Sequence, residues 1–435
     1  MSVLRFFVII LIFAVVSLAW MILGGSIWAR TEMLDSSLSR EMNSLIGPKV
    51  LVQPSPYWSP KPNTRRSQSG AVAPAAGTVA ADIKHADRYK GLLWFSTFTV
   101  DFSASYTIPA DPTLRRPRGL FAPAPKAEGF FIFPLPAGVT SYNDLTIAVN
   151  GKAVPVAAAE IAAGKISVPL ERTAEQVVTV RYVTSGQEVW LYSPAEAPYS
   201  SSCRYDDVVP SGNVLSELKN FSLTVTTDFV DIDYPRGTRS PNAPAKRHKN
   251  GMSAAWQYAN ALTSQSMGIV MPRRTNAGPI TARMSFFAPV SLFLFFIVLF
   301  VVVVRRKIAL HPMHYLFIAA GFFAFHILMA YLADLVIIHV AFWIAAAVSV
   351  FLVVSYLRLV AGVKFAVFQA SLAQLVYLVG FSYAFFWVGR TGLTVTIGAV
   401  VTLFILMQAT GRLNWGEAFK RPDRPAPTPP PPQNS

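Results

Sequence analysis

The histidines and acidic residues of this chain are the side chains whose spacing would support metal binding or catalysis. His311 and His314 lie three residues apart in the stretch LHPMHY, a spacing that can point both imidazoles to one helix face. A metal site needs further ligands, and the neighbouring loop supplies only Lys and Arg. Pro312 fits the first turn of a helix, where its missing N–H costs nothing. The pattern therefore favours the start of a helix over a metal site.

Two groups of aspartates would suit hydrolysis or calcium binding, because paired carboxylates serve both purposes. The groups are Asp206-Asp207 and Asp228, Asp231 and Asp233. Neither follows the spacing of a calcium loop, and the second group lies at a strand end, where solvated acids are common. The chain also has no G-x-S-x-G, Walker loop, H-E-x-x-H or C-x-x-C motif. The sequence therefore predicts a protein that is not an enzyme, with no catalytic, cofactor-binding or metal-binding residue.

The last third of the chain contains apolar runs that are long enough to cross a bilayer. At 1.5 Å rise per residue, each spans a hydrocarbon core of about 30 Å. A bilayer requires such helices, because no water satisfies exposed backbone there. The runs are Phe286 to Val304, Met313 to Leu332, Val336 to Tyr356, Phe365 to Val388 and Leu393 to Thr410.

A further span opens the chain, from Phe6 to Ile27. It is uncharged, longer than the apolar stretch of a typical cleavable signal peptide, and not followed by a small-x-small cleavage site. These features favour a retained signal anchor over a cleaved leader. Ser17, Gly24 and Gly25 offer small side chains for close packing against the C-terminal spans. The alternative is a lone tether that faces lipid.

Ionisable groups within the spans are rare, and such groups are functional candidates by default. His326 is the only one well inside a span, whereas Asp334 and His339 lie near an outer interface. Gln369 and Gln374 add polarity to the fifth span. A proton-coupled transporter normally needs buried carboxylates, and the C-terminal spans have none centrally. The sequence therefore favours a hydrogen bond from His326 to a neighbouring helix over a proton relay.

The formal net charge of +15 reflects topology rather than nucleic-acid binding. The chain has no aromatic-basic nucleic-acid motif, and anionic lipid headgroups suit its basic loops. Lys and Arg in short loops mark the cytoplasmic side, so both termini are predicted to be cytoplasmic and the segment after the first span external. The short connections between spans on the opposite side carry only two charged residues, Asp334 and Arg390. The basic loop residues are Arg305, Arg306, Lys307, Arg358, Lys364, Arg412, Lys420, Arg421 and Arg424.

The external segment changes character along its length. Met33 to Leu45 has helical spacing, Gly47-Pro48 stops that helix, and Pro- and Ala-rich sequence follows to residue 90. Leu92 to Ile108 then alternates as a strand, and Asn150-Gly151 predicts a hairpin within Asp144 to Val156. The lone Cys203 excludes an intramolecular disulfide. Further predicted strands are Phe130 to Leu135, Ile166 to Leu170, Gln176 to Thr184, Val189 to Ser193, Phe221 to Phe229 and Ser253 to Tyr258.

The predicted fold is a membrane protein with six transmembrane α-helices (1 + 5) and a large β-rich external, periplasmic domain between the first and second. Residues 1–27 form the signal anchor. Residues 28–285 form the external domain, with a helix and linker over 28–90 and an antiparallel sandwich or pair of sheets over 91–285. Residues 286–411 form the five-helix cluster, and 412–435 a disordered, Pro-rich cytoplasmic tail.

The order of these parts and several short motifs resemble the CreD family of inner-membrane, cell-envelope integrity proteins. Asp334 keeps the acid of the family's acid–His pair, but Leu335 follows it in place of the His. The external domain is also compact for the family, with a Pro/Ala-rich insertion near the anchor. The matching motifs are Gly47-Pro48, Trp94 and Ser96 with Phe98 and Phe102, Pro244-Ala245-Lys246-Arg247 leading to Ala255-Trp256-Gln257, Leu310-His311-Pro312-Met313 with Tyr315-Leu316, and Asn414-Trp415.

The resemblance implies a bacterial inner-membrane protein that is expressed under a sensor–regulator system and affects envelope integrity and β-lactam tolerance, with no established enzymatic activity. The first hypothesis is that its external domain binds an envelope protein or cell-wall component while the helices anchor it among membrane lipids. The alternatives are a transporter or lipid-handling protein with a cavity among the C-terminal spans, and a membrane-embedded or periplasmic hydrolase. No nucleic acid is expected as a partner.

Overall fold

The computed structural model describes residues 3–62, 70–91, 93–112, 128–194, 215–306, 310–387 and 389–411. Cys203, Asp206, Asp207, the tail 412–435 and the Asn414-Trp415 motif lie outside these ranges. The chain divides into two compact units. We call Asp35–Thr275 the β unit, and Met1–Leu34 with Asn276–Ser435 the helical unit.

Within the described residues, six helices are long and apolar enough to cross a membrane. They are α1 (Val3–Leu45), α3 (Ala277–Arg305), α4 (Pro312–Leu332), α5 (Ile338–Ala361), α6 (Phe365–Phe386) and α7 (Thr391–Thr410), and a short helix α2 (Ala158–Ala162) lies in the β unit. The predicted arrangement of one N-terminal and five C-terminal apolar helices around a β-rich region is confirmed.

Two of these helices, α3 and α6, depart from the predicted runs, whereas α1 agrees with the sequence. α1 includes Met33 to Leu45, the predicted helical extension. α3 starts at Ala277, before the apolar run begins at Phe286, and the hydroxyls of Thr281 and Ser285 in its first turns bond back to the helix backbone. α6 is irregular: it has π-helical turns at Phe365–Ala370 and Leu375–Gly380 and a 3₁₀ turn at its end. Hydropathy does not report such turns.

The β unit contains three sheets. The large sheet has eight strands in the order β12-β13-β11-β3-β4-β9-β6-β7, and the two small sheets have the orders β1-β10-β14 and β2-β5-β8. The strands are β1 (Val50–Pro54), β2 (Tyr57–Ser59), β3 (Ala76–Lys90), β4 (Leu93–Ile108), β5 (Phe130–Pro134), β6 (Asn143–Val149), β7 (Lys152–Val154), β8 (Lys165–Pro169), β9 (Gln176–Gln187), β10 (Val189–Ser193), β11 (Ser216–Thr227), β12 (Lys246–Arg247), β13 (Met252–Thr263) and β14 (Met267–Val270).

One hydrophobic cluster draws buried side chains from all three sheets, so the small sheets cover one face of the large one. Phe102 of β4, Phe133 of β5 and Trp190 of β10 are fully buried members of this cluster. Alternating apolar residues therefore face inward, as the period of two predicts. The predicted hairpin is present, with Asn150 and Gly151 at φ 48° and 78° between β6 and β7.

The sheets are mixed rather than antiparallel throughout, which corrects the sequence prediction. β1 pairs with β10 and β3 pairs with β11, both in parallel. These partners are far apart in the chain, since a parallel pair requires a long crossover. Hairpin and turn signals report only neighbouring strands, so the sequence pattern could not reveal either pair.

A second correction concerns the segment 28–90, which was predicted to hold only a helix and a linker. It contributes β1, β2 and β3, and β3 lies in the middle of the large sheet between β4 and β11. Its small residues have a packing reason: a Cβ at Gly77 would lie 3.2 Å from the Phe221 ring and 3.3 Å from the Tyr106 ring. Small side chains on β3 therefore let large aromatic rings of the neighbouring strands close over it.

Candidate functional site

The first apolar helix packs against the C-terminal helices of the helical unit. Trp20 is fully buried, and its ring lies edge-on to Phe323 and His326 of α4 at centroid distances of 5.8 and 5.5 Å. A Cβ at Gly24 would lie 3.0 Å from the Phe286 ring of α3, whereas a Cβ at Gly25 would meet nothing within 4 Å. The predicted close approach therefore occurs at Gly24 and not at Gly25.

An ion pair joins the same helix to the connection after α4. Arg30 Nη2 lies 2.7 Å from Asp334 Oδ2, and the aspartate side chain is mostly buried. The sequence placed Asp334 near an interface but named no partner for it. A signal was available, because the end of the first span and the break after the third fall on the same predicted side of the membrane.

His326 is buried, and its ring contacts Trp20 and Phe325. Its Nδ1 donates to the Phe322 carbonyl of its own helix at 3.0 Å. Among the described residues no hydrogen-bond partner faces its Nε2 or the indole N–H of Trp20. The expected hydrogen bond to a neighbouring helix is therefore wrong. The contact with α1 is a ring contact instead.

A buried polar chain links α4, α5 and α6. The Ser349 hydroxyl donates to the Gly321 carbonyl at 2.7 Å and accepts from Gln374 Nε2 at 3.1 Å. Gly321 permits this approach, because a Cβ there would overlap Val353 of α5. The sequence singled out Gln374 for its polarity, and the structure shows what it contacts. This chain of hydrogen bonds joins the three helices. It contains no carboxylate and therefore offers no acid for a proton pathway.

A second polar chain links α3, α6 and α7. The Ser291 hydroxyl donates to the Tyr377 carbonyl, and the Tyr377 hydroxyl lies 2.9 Å from Thr402 Oγ1. Tyr377 belongs to the π turn Leu375–Gly380, where the wider turn leaves backbone carbonyls for outside partners. Thr402 is the buried residue of α7, so this contact is the main polar tie of the last helix.

The candidate metal-binding histidines have separate partners. His311 Nδ1 accepts from the Met313 backbone N–H at 3.3 Å and so caps α4, with Pro312 at the first helical position. His314 Nδ1 lies 2.7 Å from the Tyr356 hydroxyl of α5. In the part of the chain that the structure describes, no group of three or more His, Cys, Asp or Glu residues is arranged to hold a metal ion.

Several of the described acids of the β unit bond to backbone N–H groups or to arginines. Asp228 accepts from the His85 N–H at 3.0 Å, and Asp233 accepts from the Tyr234 N–H at 2.8 Å. Asp87 Oδ2 accepts from Arg274 Nε at 2.7 Å. Asp231 is exposed. The sequence favoured solvated acids for the Asp228, Asp231 and Asp233 group, and all three side chains are exposed, although Asp228 and Asp233 each also accept a backbone hydrogen bond.

The tryptophans and the serine of the family-like motifs in the β unit contact two segments. One segment precedes α3, and the other precedes β13. Trp94 lies under the Arg274 guanidinium at 4.4 Å, and Ser96 Oγ donates to the Pro272 carbonyl at 2.7 Å. Trp256 is fully buried, and its indole N–H donates to the Arg239 carbonyl at 2.8 Å. The indole therefore anchors the segment between β11 and β12, in which Arg239 lies.

The outer face of the large sheet carries rows of short side chains. Two neighbouring rows cross β11, β3, β4, β9 and β6, and nearly all their members are Ser, Thr or Ala. We call these rows the open face. They form a shallow depression of about 440 Å³. The rows are Thr224–Ala80–Ser103–Arg181–Thr146 and Ser222–Thr78–Ser105–Thr179–Ala148.

One charged pair marks the open face. Arg181 Nη2 lies 2.7 Å from Asp101 Oδ2 on the neighbouring strand β4. The hydrogen bond with Asp101, followed by the attraction of its charge, raises the pKa of Arg181. The Arg181 side chain is 61% exposed and that of Asp101 38%, so the pair displays both charges to solvent beside the hydroxyl rows. The sequence did not single out these residues, because alternation marks which residues face out but not what they form together.

Six candidate spans, one N-terminal and five C-terminal around a β-rich region, define a multi-pass membrane protein. Residues 242–416 match the family model of the inner membrane protein CreD. This match confirms the resemblance to that family over residues 242–416, a range that includes the Trp256 and Leu310-His311-Pro312-Met313 motifs. No curated protein matches the chain.

Proposed function

We propose that this protein is a bacterial inner-membrane protein that contributes to cell-envelope integrity and to the stress or β-lactam response. In this proposal its β unit lies in the periplasm, both termini lie in the cytoplasm, and the open face binds an envelope protein or cell-wall component. The open face is the observation that carries the proposal. The family match over residues 242–416 supports the inner-membrane location.

The charge of the loops supports this orientation. Arg305, Arg358 and Lys364 are exposed at breaks on one side of the helical unit. On the other side Arg283 and Arg390 are exposed, whereas Arg30 is paired with Asp334. The excess of unpaired positive charge therefore lies at the side that we assign to the cytoplasm.

The shape and chemistry of the open face support binding. Its short side chains let a partner approach the sheet closely, and its hydroxyls donate and accept hydrogen bonds. Thr78, Ala80 and Ser103 are exposed, so no described element of the chain covers this part of the sheet. A sheet face that merely met water would more commonly carry long charged side chains, as designed and natural surfaces do.

The buried polar groups support a role without catalysis. Asp87, Asp228 and Asp233 of the β unit are engaged by backbone N–H groups or an arginine, and the polar chains of the helical unit use hydroxyl and amide groups to join helices. A hydrolase would need an acid, a base and a nucleophile that converge. We therefore propose binding rather than turnover.

Cysteine labelling tests the orientation. In a Cys203→Ser background, Lys152→Cys and Arg390→Cys should react with a membrane-impermeant thiol reagent in intact cells, and Lys364→Cys should react only after the membrane is opened. All three positions are exposed, so differences in reactivity report sidedness rather than burial. Labelling of Lys364→Cys in intact cells would contradict the proposed orientation.

Photo-crosslinking tests the binding face. A photoreactive residue at Ser105 or Thr179 should capture the same periplasmic component in intact cells. The matched control is Lys249, which is exposed on the β unit but lies outside the open face. We expect an additional Ala80→Trp change to abolish capture from Ser105, since it adds bulk at the centre of the face. Capture that is equal from Lys249, or unaffected by Ala80→Trp, would rule out the open face as the binding site.

A further inference from the structure

A groove on the lipid-facing side of the helical unit runs between α5 and α6. It has a volume of about 580 Å³, and its lining is apolar except for Ser355, Arg358 and Ser371. We propose that this groove binds one acyl chain of an anionic phospholipid, with the lipid phosphate at Arg358. This inference is independent of the function proposed for the β unit.

The length of the groove fits an acyl chain. Along α5 it extends from Trp343 and Ala347 to Arg358. With a rise of 1.5 Å per residue, Ala347 and Arg358 are separated by roughly 17 Å along the helix. One leaflet of a bilayer contributes about half of a 30 Å hydrocarbon core. A chain with its headgroup at Arg358 would therefore end near Ala347 and Trp343.

Small side chains and irregular helix geometry explain why the groove exists. Ala347 of α5 and Ser371 of α6 line it, where larger residues would fill it. Ser371 follows the first π turn of α6, and Leu375 opens the second. A π turn interrupts the regular side-chain ridges by which helices interdigitate, so α6 does not close against α5 along this line.

The described helices supply no anion to the positive charge at one end of the groove. Arg358 is exposed, and no carboxylate in the described residues lies within ion-pair distance of it. From residue 276 to 411 the sequence contains a single acid, Asp334, which is paired with Arg30. The phosphate of a membrane lipid is the anion available at this depth, and an anionic headgroup is attracted more strongly than a zwitterionic one.

An arginine near a helix end commonly extends to the membrane surface without binding a particular lipid. The groove distinguishes the two cases here. Arg358 lies at the end of an apolar groove whose length matches the acyl chain of the lipid that Arg358 would bind. Arg305, by contrast, is exposed at the same proposed side but does not line the groove. It therefore serves as a matched control for the loss of one positive charge.

The test uses the full-length protein, purified in a mild detergent, and native mass spectrometry with phosphatidylglycerol and with phosphatidylcholine of the same chains. We expect one phosphatidylglycerol to bind with preference over phosphatidylcholine. Arg358→Gln should weaken phosphatidylglycerol binding about fivefold, the effect of one cation near a lipid surface. Arg305→Gln should leave it within about twofold, and Ala347→Phe should weaken binding of both lipids by filling the groove.

A second measurement reports on the end of the groove that lies far from Arg358, where Trp343 is. Phosphatidylglycerol brominated near its chain ends should quench part of the tryptophan fluorescence of the wild type, and Trp343→Phe should remove that part. Equal losses of phosphatidylglycerol binding in Arg305→Gln and Arg358→Gln would show a nonspecific attraction between charges and would overturn the proposal. Unchanged binding with Ala347→Phe, or quenching that Trp343→Phe does not alter, would overturn it as well.

Discussion

The β unit and the helical unit distribute large apolar and small polar side chains in opposite ways. The β unit buries rings such as Phe102 and Trp190 and exposes Ser, Thr and Ala on its open face. The helical unit exposes large side chains, for example Phe351 and Phe368, which are 70% and 72% exposed, and it buries hydroxyl and amide groups between helices.

The difference shows what stabilises each unit. In the β unit, removal of apolar surface from water is the main driving force. In the helical unit, lipid tails are as apolar as the side chains, so helix association depends on close packing and on hydrogen bonds between helices. We therefore expect core truncation to be most costly in the β unit, and changes of small or polar contact residues to matter most in the helical unit.

The largest effect is expected from Phe102→Ala in the β unit. Phe102 is fully buried, and its ring stacks on Tyr182 at 4.8 Å and contacts Phe133 at 6.2 Å. Loss of a buried Phe side chain costs about 3–5 kcal/mol through lost burial and the cavity that remains. Denaturant unfolding of the purified protein would measure this loss. Ser103→Ala on the open face should change stability by about 0.5 kcal/mol or less, and an equal effect of the two would contradict the assigned inner and outer faces.

Glycine replacement provides a sharper test in the helical unit. Gly24→Leu should destabilise the packing of α1 by about 1–3 kcal/mol, because the new side chain overlaps the Phe286 ring. Gly25→Leu should be nearly neutral, because a Cβ there meets nothing within 4 Å. Thermal stability in detergent and crosslinking between α1 and α3 would measure both. Equal stability of the two variants would favour a first helix that is only a tether.

Alkaline pH should affect the β unit through a buried tyrosine. The Tyr182 hydroxyl donates to Gln53 Oε1 at 2.6 Å, and burial raises its pKa well above 10.0. The unfolded state can then lose this proton near pH 10 while the folded state retains it, so this stability is present below pH 10 and is lost as pH rises further.

Tyr182→Phe separates the two contributions of this hydroxyl. It should cost about 1–3 kcal/mol at neutral pH, because Gln53 Oε1 loses its buried donor. It should also reduce the decline of stability above pH 10, which denaturant midpoints at several pH values would measure. An unchanged alkaline decline would show that other groups, such as Tyr142, whose pKa burial also raises, dominate it.

The smallest effect is expected from a single hydrogen bond between helices. Ser349→Ala removes the bonds to Gly321 and Gln374. Such bonds in membrane bundles average about 0.6 kcal/mol, because the unfolded helices also find partners in the membrane. Unfolding in detergent would measure it, with Ser355→Ala, whose hydroxyl bonds within its own helix, as the control. A loss as large as that of Phe102→Ala would remove the contrast between the units.

The sequence predicted elements of secondary structure well, because each depends on residues that are close together in the chain. The six apolar spans, the β4 strand and the Asn150-Gly151 hairpin each show in the period or turn chemistry of a few consecutive residues. β3 was not predicted, because its small residues resemble a linker until Phe221 and Tyr106 are known to pack on it. His326 was assigned a neighbouring helix as partner, whereas its nearest acceptor is the carbonyl of Phe322.

The sequence by itself determined which residues lie in apolar helices and which strands have one buried face, because the bilayer and the hydrophobic effect act on each segment's own side chains. Only the tertiary structure decided which distant segments meet. The parallel pairing of β3 with β11, the ion pair between Arg30 and Asp334, the open face and the groove beside Arg358 all depend on such meetings. The physical reason is that these residues are far apart in the sequence. They come into contact only when the chain between them has packed.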